Sequence, residues 1–138
     1  MALDSRRLGT GSIKKGENTL KLWLDDVRPA PEGYIWIDRV EDAIFEILRY
    51  EREQDSAYAA YIYGTWDMRR VMEHIDAFTF TEISCDNDLG EGRVEGYKLL
   101  DWLELTNRNY PIHIHSANPV AVQRMRRIIE RNGWKEIR

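Results

Sequence analysis

A single cysteine, Cys85, leaves the 138-residue chain without an internal disulfide and fits a reducing, cytoplasmic setting. No stretch approaches the roughly 20 apolar residues of a membrane span, and no signal-peptide core is present, so no membrane partner is expected. Basic residues are not in excess: 20 lysines and arginines face 24 aspartates and glutamates, a net charge of −4. That excludes a broad positive field for duplex nucleic acid. An RNA end or a phosphorylated small molecule would have to be held locally, by a metal or a few arginines. Ligands at zinc-finger spacing are missing, as is the Gly-x-Ser-x-Gly turn of a serine nucleophile. A two-histidine phosphoesterase needs two separate His-x-Thr/Ser elements, and this chain offers one cluster, His113 and His115.

What is present is an ordinary globular composition, 43% hydrophobic and 32% charged, at the length of one domain. The first twelve residues, ending Leu8-Gly9-Thr10-Gly11-Ser12, read as a tag or cloning scar, which leaves 13–138 as a single domain. Three short apolar runs end in polar residues: Leu20-Lys21-Leu22-Trp23-Leu24 in Asp25-Asp26, Ile83-Ser84-Cys85 in Asp86-Asn87-Asp88, and Ile112-His113-Ile114 in His115-Ser116-Ala117-Asn118. Buried strands of a parallel sheet have this design, and open α/β sheets bind ligands at the carboxyl ends of such strands. Cys85, mid-strand, reads as a small core residue.

Between the runs, Asp26 to Gly33 holds two prolines and a glycine, so either a loop in place of the first helix or a hairpin leads to a strand at about Tyr34 to Ile37. Asp38-Arg39-Val40-Glu41 has capping-box spacing, and Val40, Ala43, Ile44, Ile47 and Leu48 predict an amphipathic helix to about Arg52. Ala57 to Tyr63 fits helix or strand before Gly64, and a further helix is expected from about Trp66 to Ala77 as an extra segment before the central strand. The loop Gly90 to Gly96 fits a flexible turn better than a phosphate cradle. A helix follows from Tyr97 to about Thr106. Asn118-Pro119 starts the last helix, Gly133 ends it, and Trp134 to Ile137 is a short final strand. The alternation predicts a three-layer, doubly wound α/β fold with a mostly parallel sheet.

Carboxylates converging at the strand tips repel one another unless a cation or shared protons neutralise them, and an all-oxygen set favours a hard divalent ion, Mg2+ or Mn2+. Asp25, Asp26 and Asp86 are the candidate metal ligands, with loop and helix capping the alternative. His115 is a candidate general acid or anion contact, and His113, deeper in the strand, a core histidine. Ser116 is placed to bond a phosphoryl oxygen or to cap the next turn. The helix start at Asn118 reads as an anion site, and Arg28 as a second phosphate contact. Arg124, Arg127 and Arg131 form a stripe that is either solvated surface or a collector of polyanion.

The acidic pair Asp25-Asp26, the strand-end Asp86 and Ser116-Ala117 resemble the active site of two-component receiver domains. In that family the pair binds magnesium, the third aspartate accepts a phosphoryl group and the serine contacts it. Leu24-Asp25-Asp26-Val27-Arg28-Pro29, Ser84-Cys85-Asp86-Asn87-Asp88-Leu89-Gly90 and His115-Ser116-Ala117-Asn118-Pro119 resemble more specifically the divergent cyclic-phosphate-processing receiver domains, over about residues 20 to 132. The resemblance implies a receiver (flavodoxin-like) fold and metal-dependent hydrolysis of a cyclic phosphate, RNA-end or nucleotide-derived. Asp86, Asp88, His115 and Ser116 would be catalytic, and Arg28, Asn87 and Asn118 would contact substrate. Two positions depart from the pattern. Lys135 does not match the lysine that serves phosphorylation in ordinary receivers, and Asn87 stands where the divergent family is expected to carry histidine. The first opposes a phosphorylation switch, and the second favours a module that binds a phosphorylated ligand or protein without turnover.

Overall fold

The computed structural model describes residues 7–8, 20–62, 64, 67, 69 and 81–138. Alternation sets the sheet. Leu20, Leu22 and Leu24 of β2 (Leu20–Leu24) are buried while Lys21 and Trp23 are half-buried, and β3 (Ile35–Ile37) repeats the pattern. In register, Leu22 and Leu24 pair with Ile83 and Cys85 of β4 (Thr81–Cys85), which pair with Ile112 and Ile114 of β5 (Ile112–Ile114). These residues form one apolar face. The other face carries Trp36, Trp23, Ser84 and His113, side by side in the same register.

β3, β2, β4, β5 and the short β6 (Glu136–Ile137) are all parallel, in that spatial order. Numbered as a five-stranded sheet this is order 2-1-3-4-5, that of a receiver (flavodoxin-like) α/β fold. The β2 to β3 connection is indeed a loop, closed by a turn in which Tyr34 N donates to Pro31 O at 3.2 Å. A two-residue strand, β1 (Arg7–Leu8), pairs antiparallel with β3, so the edge of the sheet is formed by residues that the sequence reading set aside.

Among the described residues, three helices cover the apolar face. They are α1 (Val40–Ile62), α2 (Tyr97–Leu105) and α3 (Pro119–Asn132), and they pack side by side in chain order. Ala43, Ile47, Leu99, Leu100, Leu103, Met125 and Ile129 join the strand residues in one core. Of the three expected layers, the sheet and this helical layer are among the described residues. The helix expected over 66–77 lies outside them except for Asp67 and Arg69.

α1 runs on to Ile62 instead of stopping near Arg52. The polar stretch after Arg52 contains neither glycine nor proline before Gly64, so nothing ends the helix there, and Gln54 bonds back to the Tyr50 hydroxyl at 3.1 Å. The middle of α1 is tied to the loop before β5. The Arg108 guanidinium forks onto Glu51 at 2.8 to 3.1 Å, and the Tyr110 hydroxyl donates to the same carboxylate at 2.7 Å. Burial opposes ionisation of Glu51, but the hydrogen bonds from Arg108 and Tyr110 outweigh it and hold the carboxyl below its ordinary 4.5. Glu51→Gln should therefore cost about 1 to 2 kcal/mol in urea unfolding at neutral pH, the pair being partly solvated. A carboxyl lowered in the folded state stabilises above its unfolded value and loses that contribution as pH falls. The gap between parent and variant should accordingly close in acid.

Candidate metal and phosphate site at the strand tips

The ladder extends one residue past each strand: Asp25 N donates to Ile37 O, Asp86 N to Leu24 O and His115 N to Cys85 O, at 2.9 to 3.1 Å. Asp25 and Asp86 are thereby fixed side by side between β2 and β4, where the strand order reverses and such sheets form a ligand crevice. A crevice of about 350 Å³ opens there, lined by Asp25, Asp26, Val27, Arg28, Asp86, Asp88, Gly90 and Ala117.

Asp25, Asp26 and Asp86 each offer an oxygen, all within 4.8 Å of one another. Opposite ligands of a magnesium ion at 2.1 Å bonds stand about 4.2 Å apart, so the triad could hold such an ion with sub-ångström adjustment. Asp25 is the most firmly set. Its Oδ1 accepts from Val27 N and Arg28 N at 2.8 and 2.9 Å, and its Oδ2 meets His115 Nε2 at 3.1 Å and Arg28 Nε at 3.4 Å. Asp86 is only 5% exposed. Burial raises its pKa, and Asp25 and Asp88 add to the rise against the Asn87 N–H and Arg28. A buried carboxylate beside two others is a site short of positive charge. Arg28 supplies the one cationic side chain among the described crevice residues, and it is held by its bond to His115 O at 2.8 Å.

Four expected contacts lie elsewhere. Asn87 is 2% exposed; its Oδ1 accepts from Tyr97 N, and its Nδ2 donates to Glu95 and Asp88. It holds the loop onto α2 and is not among the residues that line the crevice. Asn118 does cap α3 as expected, but this closes the anion site. Its Oδ1 takes Val120 N and Ala121 N, its carbonyl takes Val122 N, and Pro119 has no N–H, so no donor of the first turn is left free. Ser116 Oγ accepts from Asn118 N at 3.1 Å, the turn-capping alternative, and stands outside the crevice lining.

His115 departs furthest from the sequence reading. Its ring stacks on Trp23 with centroids 3.8 Å apart, its side chain is 6% exposed, and burial pushes its pKa down to about 4 against the pull of Asp25. Its ring lies between Trp23, Ser84 and Asp25, and it is not among the residues that line the crevice. Period-two alternation explains the placement, since Trp23 and Asp25, Ser84, and His113 and His115 all fall on one sheet face.

The arginine stripe is largely committed to α2. Arg124 lies over the Tyr97 ring at 4.5 Å and Arg131 forks onto Glu104 at 2.7 Å. Cys85 is fully buried, its thiol pushed up by burial and by Asp86, as a core residue should be. Two glycines matter more than the sequence indicated. Gly90 has φ +107°, a conformation that strains any other side chain, and a Cβ on Gly96 would fall 1.8 Å from Asp86 O.

The sequence pattern of one protein family, the cyclic-phosphate processing receiver domain, matches residues 20–131. The chain belongs to that family. Within this receiver domain the match runs from the first residue of β2 nearly to the end of α3, so it takes in every residue of the crevice. No curated protein and no solved structure matches the chain. No helix of the receiver domain, among the described residues, is long and apolar enough to cross a membrane. Lys135 stands at the far end of the sheet, its carbonyl accepting from Ile112 N at the start of β5. No lysine is among the described crevice residues, so the geometry offers nothing to a lysine-dependent phosphorylation switch.

Proposed function

We propose that this receiver domain is a metal-dependent phosphoesterase that hydrolyses a cyclic phosphate, nucleotide-derived or at an RNA end. The observation that carries the reading is the convergence of Asp25, Asp26 and Asp86 at the switch point of the sheet, beside one guanidinium. A bound magnesium or manganese ion would supply a Lewis acid for the phosphoryl oxygen and a water of lowered pKa. Asp26 and Asp86 present the more accessible oxygens for it, and Asp25, anchored by two backbone N–H groups and His115, sets the position of the third. Arg28 balances the charge of a phosphoryl group in the crevice. Asp88, exposed at the mouth, orients water. Since His115 is not among the residues lining the crevice, the leaving oxygen takes its proton from water at the mouth.

A second reading, a module that binds a phosphorylated ligand without turnover, is favoured by one observation: no histidine is among the described crevice residues. Phosphorus NMR separates the two. The purified chain is incubated with 2′,3′-cyclic nucleotides and an ADP-ribose cyclic phosphate, with and without Mg2+, beside Asp26→Asn. Metal-dependent conversion to a monoester, lost in the variant, is the expected result. Metal-dependent binding of the same compounds without conversion would replace the enzyme by the binding module.

A further inference from the structure

Asn87 stands between two crevice carboxylates, and every polar group it has makes a hydrogen bond. Its main-chain N donates to Asp86 Oδ1 and its carbonyl accepts from Gly96 N, both at 2.8 Å. Its side chain, 2% exposed, accepts from Tyr97 N through Oδ1 at 3.2 Å. On the other side, Nδ2 donates to Glu95 Oε2 at 3.2 Å and to Asp88 Oδ1 at 3.3 Å. The orientation of the amide follows from Tyr97 alone. A backbone N–H can only donate, so the atom that faces it is the oxygen, and the nitrogen is turned to the two carboxyl groups whatever their charge. An NH2 group carries two protons, one for each of them.

We infer that Asn87 is a positioning residue: its side chain holds Asp88 by one oxygen and leaves the other for the crevice that Asp88 lines, while its main chain holds Asp86. Asp88 is exposed, and an exposed carboxylate without a fixed partner turns among its rotamers. The fixed partner is a buried amide seated on the N–H of Tyr97, the first residue of α2. Two carboxylates two positions apart are thus set relative to each other by the residue between them. Partners of this kind, one step behind the groups that act in a site, fix the direction in which those groups point. An aspartate at 87 would keep the shape and the acceptor for Tyr97 N, but it would lose both protons and set a further carboxylate against Asp88 and Glu95. The part of Asp88 in turnover rests on the function proposed above, whereas the hydrogen bonds that position it do not.

The first test is proton–nitrogen correlation NMR of the side-chain amides in the 15N-labelled full chain without metal, the Asn87 pair being assigned through its backbone. The pair should stand apart from the solvated amides, with Glu95→Gln shifting mainly one of its two protons and Asp88→Asn mainly the other. A pair at the position of a solvated amide, or two protons that move together in each variant, overturns the inference whatever the protein's activity. Steady-state hydrolysis of a 2′,3′-cyclic nucleotide with Mg2+ then separates positioning from tethering of the loop. Glu95→Ala removes the bond from the amide to the loop and leaves the bond to Asp88, whereas Asn87→Asp removes both. Positioning predicts that Glu95→Ala keeps kcat close to that of the parent, while Asn87→Asp lowers kcat by about tenfold and moves KM much less. Equal kcat in the two variants, lowered or not, would reduce Asn87 to a tether of the loop. A parent protein that turns over no cyclic phosphate would sink the functional reading and leave Asn87 to be judged by its amide protons.

Discussion

Asp86→Asn should raise the melting temperature of the metal-free protein and abolish the further rise expected from magnesium. Asparagine preserves the shape of the side chain and the oxygen that accepts from Asn87 N at 2.8 Å. It removes a charge that is buried and faces Asp25 and Asp88. Like charges at such distances repel by a few kcal/mol even at the effective dielectric of a protein surface, so the gain should be on the order of 1 to 2 kcal/mol. The pH dependence carries the same sign. A carboxyl whose pKa is raised by folding binds more protons folded than unfolded, so the parent gains stability as pH falls from neutral toward the ordinary aspartate range. The asparagine variant should lack that slope. In the parent, a divalent ion at one hundred times its dissociation constant adds about 2.7 kcal/mol, and this increment should vanish with the ligand. Calorimetry of both proteins with and without Mg2+ decides. A metal-free variant less stable than the parent would show that Asp86 is satisfied by the protein alone.

Gly96→Ala should damage the same site from behind. Gly96 has ordinary helical backbone angles, φ −59° and ψ −32°, so its requirement is one of space and not of conformation. Its N–H donates to Asn87 O at 2.8 Å, which draws the start of α2 onto the strand tip. A methyl group there would overlap the Asp86 carbonyl. Backbone cannot rotate away as a side chain would, so the cost should reach about 3 kcal/mol, a fall in Tm on the order of 10 °C. Whatever folds will carry a displaced Asp86. Mg2+ should then stabilise the variant less than the parent, even at temperatures where both are folded. A Tm unchanged within error, with magnesium stabilisation intact, would refute the close approach.

The sheet was legible because each core strand is a short apolar run ended by polar residues, and those ends carry the acidic triad. α1 was read too short because the stretch after Arg52 is polar, and polarity in a sequence does not distinguish a solvated helix from a loop. The site was legible in its carboxylates and opaque in its histidine. Reading His115 from its place at a strand tip put it in the crevice. The alternation that puts it on the face of Trp23 and Ser84 was also in the sequence, and it is the stronger constraint, since period two is fixed by the backbone. Ser84 gave a further signal, as a hydroxyl in the middle of a buried strand must have a partner. Gly96 gave none, because nothing in a loop sequence says which glycine touches the strand beside it.

The closed amino end of α3 bears on the order in which ligands arrive. With every first-turn donor of that helix already satisfied by Asn118, the protein offers an incoming phosphate three carboxylates, the exposed Asp88 and one guanidinium. Such a pocket repels an anion until a cation has entered. Ligand association should therefore be sequential, metal before phosphate, and a chelator should act as a competitive antagonist of the organic ligand although the two resemble each other in no way.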